Sequence, residues 1–180
     1  MTPAGNRSLR RGLSTACLVL LVSLTACSYQ SVRHLEQQPW TVGAKRSLPM
    51  NYLTFDYQTG LTDEGIRISG TAYPRQSAIP QWASWAHDIW LATYLCKETG
   101  QVVAKKIAVL PPQALDFEAG FSFDFLLEPQ VMAGTGPVFI TFGYRLMLSA
   151  DQSLRPEDIK PSQQGSSDIF FASESALTRF

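Results

Sequence analysis

The chain has few of the residues from which metal sites are built. Its 180 residues include only three cysteines and two histidines. The histidines, His34 and His87, lie far apart in the sequence. A zinc site takes three or four protein ligands, usually cysteine or histidine. We therefore expect no metal site and no cofactor.

An excess of charge of either sign is also missing. The formal net charge at pH 7 is +0, with 15 basic and 15 acidic side chains. Between residues 51 and 149, Lys105 and Lys106 are the only adjacent basic pair. Nucleic-acid-binding domains cluster lysine and arginine on one face. The sequence therefore predicts no nucleic-acid partner.

No apolar run is long enough for a permanent transmembrane helix, which needs ~20 apolar residues. The main run, residues 13–26, is uncharged and is followed by polar residues from Ser28 onward. Arg7, Arg10 and Arg11 precede it. A positive segment before a short apolar segment is the layout of a helical secretory signal peptide.

The end of this run reads Leu24-Thr25-Ala26-Cys27, a large aliphatic residue, two small residues and a cysteine. The stretch resembles the lipobox of bacterial lipoproteins. The resemblance implies that a signal peptide over residues 1–26 is removed, that the thiol of Cys27 receives a diacylglycerol, and that the new amino terminus is acylated. The alternative is an ordinary signal peptide cleaved near Ala26, which leaves a soluble exported protein.

The lipobox resemblance also implies a location. Two or three acyl chains hold a protein on a membrane effectively for good, whereas one chain binds reversibly. In lipoproteins of the enterobacterial sorting type, aspartate directly after the lipidated cysteine favours the inner membrane, and this chain has Ser28 there. We expect a bacterial envelope protein anchored to the outer membrane, facing the periplasm, with membrane lipid as a partner.

Cysteine usage excludes an intramolecular disulfide in the mature chain. Cys17 leaves with the signal peptide and lipid occupies Cys27, so Cys96 has no partner. The hydrophobic core must then supply the stability. Cys96 shares a face of a predicted strand with Tyr94. We interpret it as a buried, inert thiol, with a reactive or intermolecular cysteine as the alternative.

Composition divides the mature chain into three segments. Residues 27–50 mix polar residues with two prolines and show no sustained period, which predicts a lipidated N-terminus and a tether with a reach of ~25 Å. Residues 150–180 are rich in Ser, Gln, Asp and Glu, which predicts a partly disordered tail. Phe170 and Phe171 in that tail either dock on the domain or mark a contact site.

Residues 51–149 consist of short segments in which apolar residues alternate with polar ones, separated by turn residues. Strands in series with hairpin-scale connections pair antiparallel, and each apolar face needs a covering layer. The pattern predicts an all-β, antiparallel, immunoglobulin-like β-sandwich of six or seven strands. The residues predicted to face its core are Leu53, Phe55, Tyr57, Ile66, Ile68, Ala72, Phe121, Phe123, Phe125, Leu127, Val138, Ile140, Phe142, Tyr144, Leu146 and Leu148.

Residues 80–96 fit two structures. The tryptophans and alanines have helical spacing, and Pro80 suits a first helical turn. Ile89 to Tyr94, however, is rich in β-branched and aromatic residues, which favours a strand. We predict a short helix over residues 80–86 and a strand from Asp88, with a single helix over residues 80–96 as the alternative.

Residues 88–129 read "DIWLATYLCKETGQVVAKK" followed by "PPQALDFEAGFSFDFLLEP". The arrangement of a strand, a polar turn with glycine, a second strand and a later Phe-containing strand resembles FxLYD-type immunoglobulin-like domains of bacterial lipoproteins. The resemblance implies a sandwich fold. The chain departs from that pattern after Tyr94, where Leu95 and Cys96 stand in place of an acid, and no functional residue is carried over.

Four aromatic residues are the candidate contact site for a partner or ligand: Trp82, Trp85, Trp90 and Tyr94. Aromatic side chains beside a strand stack on sugar rings or take up the apolar side chain of a partner protein. Alternatively, they fill one end of the sandwich. We expect the binding interpretation to gain support where Trp82 and Trp85 are exposed.

No catalytic motif stands out. Ser84, His87 and Asp88 resemble a triad only in composition, because triads are assembled across a fold and neighbours in one segment seldom point at one atom. The leading hypothesis is a non-enzymatic lipoprotein that binds or scaffolds an envelope protein or glycan. One alternative is a glycan hydrolase, which needs two carboxyls ~5–9.5 Å apart, such as Asp116 and Glu118. Another is a tethered small-ligand carrier, which needs an enclosed pocket of ~300 Å³ or more.

Overall fold

The computed structural model describes residues 29–128, 136–153 and 169–179. The chain divides into two units, residues 30–177 and residues 1–29 with 178–180. The fold described below is that of the larger unit. Across the described ranges, no helix is both long and apolar enough to cross a bilayer.

Strands account for most of the described chain. In order they are β1 (Tyr29–Ser31), β2 (Gln38–Pro39), β3 (Lys45–Pro49), β4 (Leu53–Thr62), β5 (Gly65–Pro74), β6 (Trp85–Lys97), β7 (Val102–Leu110), β8 (Gln113–Ala114), β9 (Phe121–Leu127), β10 (Val138–Ser149), β11 (Ile169–Glu174) and β12 (Leu177–Arg179). β1 and β12 each include residues of both units. The described residues contain more strands than the predicted six or seven, because several of the strands are too short to show a periodic pattern.

Two antiparallel sheets form the sandwich, as the sequence predicts. The first sheet has the strand order β3-β4-β5-β9. The second sheet has the order β11-β10-β6-β7, with β2 also paired to β10 and β8 to β6. The predicted core positions are confirmed, because all of them are buried except Val138, which is half-buried.

Aromatic rings join the two sheets across the core. Phe55 of the first sheet stacks on Phe142 of the second, with ring centroids 4.4 Å apart and an interplanar angle of 4°. Tyr57 and Phe123 contact the same Phe142 ring at 5.0 and 5.5 Å. Each such pair adds ~0.5–1.5 kcal/mol to the stabilisation from burial. Phe142 therefore identifies the inner face of the second sheet.

The segment around residue 85 is a strand, so both helical predictions for it are wrong. Residues 80–84 make a turn in which the Ala83 N–H donates to the Pro80 carbonyl at 3.0 Å. β6 begins at Trp85, three residues earlier than predicted, and is paired with β10 on one side and β7 on the other. Pairing with β10 over the whole span of β6, and with β7 from Ile89 to Cys96, outweighs the helical spacing of the tryptophans.

The predicted tether over residues 27–50 is wrong for the part that the structure describes. β3 pairs with β4, β2 pairs with β10, and the side chains of Val32 and Leu48 are fully buried. Short strands and turns alternate here, so the apolar residues fall at irregular intervals. The sandwich therefore begins well before the predicted boundary at residue 51.

The predicted C-terminal tail is also structured at its end. β11 pairs with β10 along residues 169–174, and Phe170 packs edge-on against Tyr52 with ring centroids 5.4 Å apart. The side chain of Glu174 accepts hydrogen bonds from the Tyr144 hydroxyl at 2.6 Å and from the Asn51 amide at 2.7 Å. Residues 154–168, the rest of the prediction, lie outside the described residues.

Candidate functional site

The side chains of Trp90, Ala92 and Tyr94 lie on the outer face of the second sheet. Thr93 is directly opposite Phe142, whose ring points into the core. Directly opposite residues share a face, and successive residues alternate. The even-numbered residues from 90 to 96 therefore point away from the first sheet.

β7 extends this outer face with two aliphatic side chains. Val109 lies opposite Trp90, and Ile107 lies opposite Ala92. Val109 is 62% exposed, Ile107 is 44% exposed and Trp90 is 40% exposed. Lys105, opposite Tyr94, adds a cation to the same face. Neighbouring exposed apolar side chains of this size are informative, unlike isolated ones.

The other side of β6 adds Arg145 and an aromatic ring. Arg145 of β10 lies opposite Trp90, and Ser173 of β11 lies opposite Arg145. Phe171, two residues from Ser173, therefore shares the face and is 45% exposed. We call this surface the apolar face; it consists of Trp90, Ile107, Val109 and Phe171 with the cations Lys105 and Arg145.

Asp88 fixes the centre of the apolar face. Its φ of 46° is the left-handed conformation, which few non-glycine residues adopt, and two β6 residues here oppose one residue of β10. Its carboxylate accepts a hydrogen bond from the Trp90 indole N–H at 2.7 Å and pairs with the Arg145 guanidinium at 2.7 Å. The indole N–H is thus satisfied within the chain, and the ring is held in place.

A groove of about 250 Å³ opens on the apolar face. Tyr94 lies in its lining and is almost completely buried, and its hydroxyl accepts a hydrogen bond from the Ala176 N–H at 3.4 Å. Burial raises the pKa of this hydroxyl. The lining residues are Trp90, Ala92, Tyr94, Ile107, Tyr144, Arg145, Ser173 and Ser175.

The structure brings together two of the four predicted contact residues. Trp90 and Tyr94 line the same groove. Trp82 is 38% exposed in the turn before β6, and Trp85 is half-buried with its ring 6.4 Å from that of His87. Neither belongs to the lining of the groove. That these residues contact a partner stays a prediction.

Sequence analysis missed three apolar members of this face and the residues that organise its centre. Ile107 and Val109 lie in "VVAKKIAVL", where apolar residues occupy both alternating positions, so periodicity does not separate inside from outside. Phe171 was noted only as a docking or contact residue of a tail. The sequence signal that could have identified the face was the apolar content of "VVAKKIAVL". A strand with one buried face needs an apolar residue only at every second position, and this strand has more.

The triad-like residues do not act on one another. The Ser84 hydroxyl donates to the Ala150 carbonyl at 2.7 Å, and Asp88 is occupied by Trp90 and Arg145. The His87 Nε2 lies 2.9 Å from the Ser149 hydroxyl, which itself donates to the Asp151 carbonyl. The imidazole must then donate through Nε2. Burial lowers the pKa of His87, which favours this neutral form.

Asp116, one of the carboxylates predicted for glycan hydrolysis, lies in a structural contact, and so does Asp124 on the first sheet. Asp116 accepts hydrogen bonds from the backbone N–H groups of Ala119 and Glu118, both at 2.8 Å, and these bonds lower its pKa. A general acid needs a raised pKa instead. Asp124 pairs with Arg67, and the hydrogen bond from Arg67 lowers its pKa. Among the described residues, no three His, Cys, Asp or Glu side chains are arranged to hold a metal ion.

A second groove, of about 520 Å³, lies on the first sheet. Its lining is mostly polar and charged and includes Lys45, Ser47, Asp56 and Gln58. The groove is open to solvent along the sheet surface. It therefore differs from the enclosed pocket that the ligand-carrier hypothesis requires.

Comparison of the chain with protein-family models, with curated proteins and with solved structures found no match. The lipobox resemblance and the immunoglobulin-like resemblance are therefore supported by the residues quoted for them alone. The functional argument depends on the geometry of the apolar face and on the sequence before it.

Proposed function

We propose that the protein is a non-enzymatic, lipid-anchored protein of the bacterial envelope. In this proposal, acylated Cys27 holds it at the outer membrane, facing the periplasm, and the sandwich binds another envelope component through the apolar face. The observation that carries the proposal is the apolar face itself, with Trp90, Ile107, Val109 and Phe171 exposed on one side of one sheet.

The organisation of the apolar face supports a binding role. Its central indole is held by Asp88, and Asp88 is held in turn by Arg145. Binding to a surface that is already ordered costs less conformational entropy than binding that must order it. Exposed apolar surface also favours association because contact removes it from water.

The sequence before the domain supports the anchor. Leu24-Thr25-Ala26-Cys27 follows a positive segment and a short apolar run, the layout of a lipoprotein signal. The larger structural unit begins at Gln30, three residues after Cys27. Covalent geometry limits that connection to ~11 Å, far below the ~25 Å predicted for a tether. An acylated Cys27 would therefore keep the sandwich close to the lipid.

The anchor is tested by the mass of the protein extracted from membranes. We expect the mass of residues 27–180 plus acyl chains, and loss of the lipid in Cys27→Ala. An unmodified protein in the soluble fraction would contradict the anchor and leave a secreted domain.

The binding surface is tested by photo-crosslinking in intact cells. A benzophenone amino acid replaces Ile107 on the apolar face, and a matched control carries it at Ser122, which is exposed on the outer face of the first sheet. We expect an adduct with an envelope component from position 107 and none from position 122. Equal yields at the two positions would contradict the assignment of the surface.

A further inference from the structure

We infer that the component contacted by the apolar face is the anionic phospholipid surface to which Cys27 is anchored. This inference rests on the proposed lipid anchor. The second sheet lies with its outer face against the headgroups, and the first sheet faces away from the membrane. The apolar face is thus a second membrane contact of an anchored protein.

The chemistry of the apolar face suits a bilayer interface. Tryptophan is enriched where one part of the side chain is apolar and another is polar, as at the headgroup level. Ile107 and Val109 add aliphatic surface that can enter the boundary between headgroups and acyl chains. Lys105 supplies a cation, which is attracted to anionic lipid, whereas the charge of Arg145 is balanced by Asp88.

The start of the domain lies beside the strands that form the apolar face. Ser31 forms a bridge with Gln101, directly before β7. The Val32 N–H donates to the Gly100 carbonyl at 2.8 Å, in the turn between β6 and β7. The chain therefore enters the sandwich at the turn of the β6–β7 hairpin, and Trp90 and Val109 lie toward the opposite end of the same two strands. A short connection from Cys27 brings that hairpin to the membrane.

Anchoring makes a weak second contact sufficient. When one attachment is already made, the second occurs at an effective concentration of about millimolar order for a short connection. Lipid-modified proteins commonly combine acyl chains with a basic or apolar patch. The apolar face therefore needs little affinity of its own to lie on the bilayer.

The same residues fit other partners less well. Sugar rings stack on aromatic faces, and Val109, the most exposed member of the surface, is aliphatic. The centres of protein interfaces are depleted in lysine, and Lys105 lies next to Ile107 on this face, directly opposite Tyr94. A lipid surface accommodates all of these groups at once.

The test places an environment-sensitive fluorophore on each face of the lipidated, full-length mature protein. Val109→Cys carries the label on the apolar face, and Ser122→Cys is the matched control on the first sheet. Cys96 is fully buried and Cys27 is blocked by lipid, so each variant has one reactive thiol. Both proteins are reconstituted in vesicles of phosphatidylcholine with phosphatidylglycerol, with and without brominated acyl chains.

We expect a blue shift and at least twofold quenching by brominated lipid at position 109, and neither at position 122. Vesicles of phosphatidylcholine alone should reduce the quenching at 109. The mass of each protein first confirms that it is lipidated. In such a protein, equal quenching at both positions, or no quenching at position 109, would overturn the inference and leave the anchor intact. A change at 109 that requires added glycan or envelope protein would overturn it in favour of that partner.

Discussion

The outer face of the first sheet carries Ser47, Asp56, Thr71 and Ser122 in one row across its strands, whereas the outer face of the second sheet exposes tryptophan, isoleucine, valine and phenylalanine. Both sheets are antiparallel, and an antiparallel sheet with one solvated face normally alternates apolar and polar residues. The first sheet follows this rule. The second sheet has two apolar faces, and its outer one needs a covering layer.

Part of that layer comes from the chain itself. At one end of the outer face, the Thr141 hydroxyl donates to the Glu36 carbonyl at 2.6 Å, and the Cys96 thiol lies 3.4 Å from the Gln37 side chain. The N-terminal segment thus covers this end. At the other end, Trp90 and Val109 remain exposed in the described part of the chain. The difference between the two sheets therefore points to an external layer over half of one face.

The largest effect is expected where the two sheets meet. Phe142→Ala removes the ring that contacts Phe55, Tyr57 and Phe123, so the free energy of unfolding should fall by ~3–5 kcal/mol. Denaturant unfolding followed by circular dichroism measures it. Val109→Ala on the apolar face is the control, with an expected change within ~0.5 kcal/mol. Similar losses for both would mean that the apolar face is part of the core.

The covered end of the second sheet depends on Gly100. Its φ is +81°, and an added Cβ would lie 2.6 Å from the backbone of Arg33 in the N-terminal segment. Gly100→Ala should cost more than ~2 kcal/mol, because left-handed strain and a backbone clash combine.

Gly43→Ala separates these two causes. Gly43 has a similar φ of +74°, but nothing lies within 4 Å of the added Cβ. We expect ~1 kcal/mol from strain alone. Equal losses for the two variants, measured by thermal or denaturant unfolding, would show that the N-terminal segment does not pack tightly against the hairpin.

A pH effect should come from the second sheet through His87. Its pKa in the folded protein is below the usual 6.5 because burial disfavours the charged form. The folded state therefore holds fewer protons, and stability is complete above pH 6.5 and declines as the pH falls below that value.

His87→Gln keeps a donor for the Ser149 hydroxyl and removes the titration. The free energy of unfolding should then depend less on pH below about 6.5 than in the parent protein. His34→Gln, the same substitution at an exposed position, is the control. If His87→Gln leaves the pH dependence of the free energy of unfolding unchanged, groups other than His87 cause that dependence.

The smallest effect on stability is expected on the apolar face, where the effect on association should be largest. Ile107→Ser should change the free energy of unfolding by no more than ~0.5 kcal/mol and reduce lipid-dependent burial of the face. The reciprocal Ser122→Val should add apolar surface to the first sheet without creating a membrane contact. Vesicle quenching and denaturant unfolding of the same variants measure both quantities.

The sandwich strands could be predicted because their residues alternate strictly. Leu53, Phe55 and Tyr57 all face the core as expected, and so do the phenylalanines of β9. The polar turn with glycine between two strands is also present, with Gly100 at a φ of 81° between β6 and β7. Cys96 is buried, as interpreted, and burial raises its pKa to about 12.

The parts that could not be predicted lack a period. Val32, Leu35 and Leu48 are buried, but turns separate them, so the segment looked like a tether. The apolar face was missed for the opposite reason, because β7 is apolar at nearly every position and alternation carries no information there. Side chains from four strands, β6, β7, β10 and β11, form the face, and only the register of the sheet brings them together.

The three-residue connection between Cys27 and Gln30 limits what an anchored form of this protein can reach. A domain of this size has a radius of gyration of about 15 Å and hence a diameter of about 40 Å, so with the ~11 Å connection its far side would lie at most about 50 Å from the lipid. Any periplasmic molecule that meets it must approach the membrane to within that distance. Encounters with other membrane proteins would occur by lateral diffusion, with the polar groove of the first sheet as the surface turned toward the periplasm.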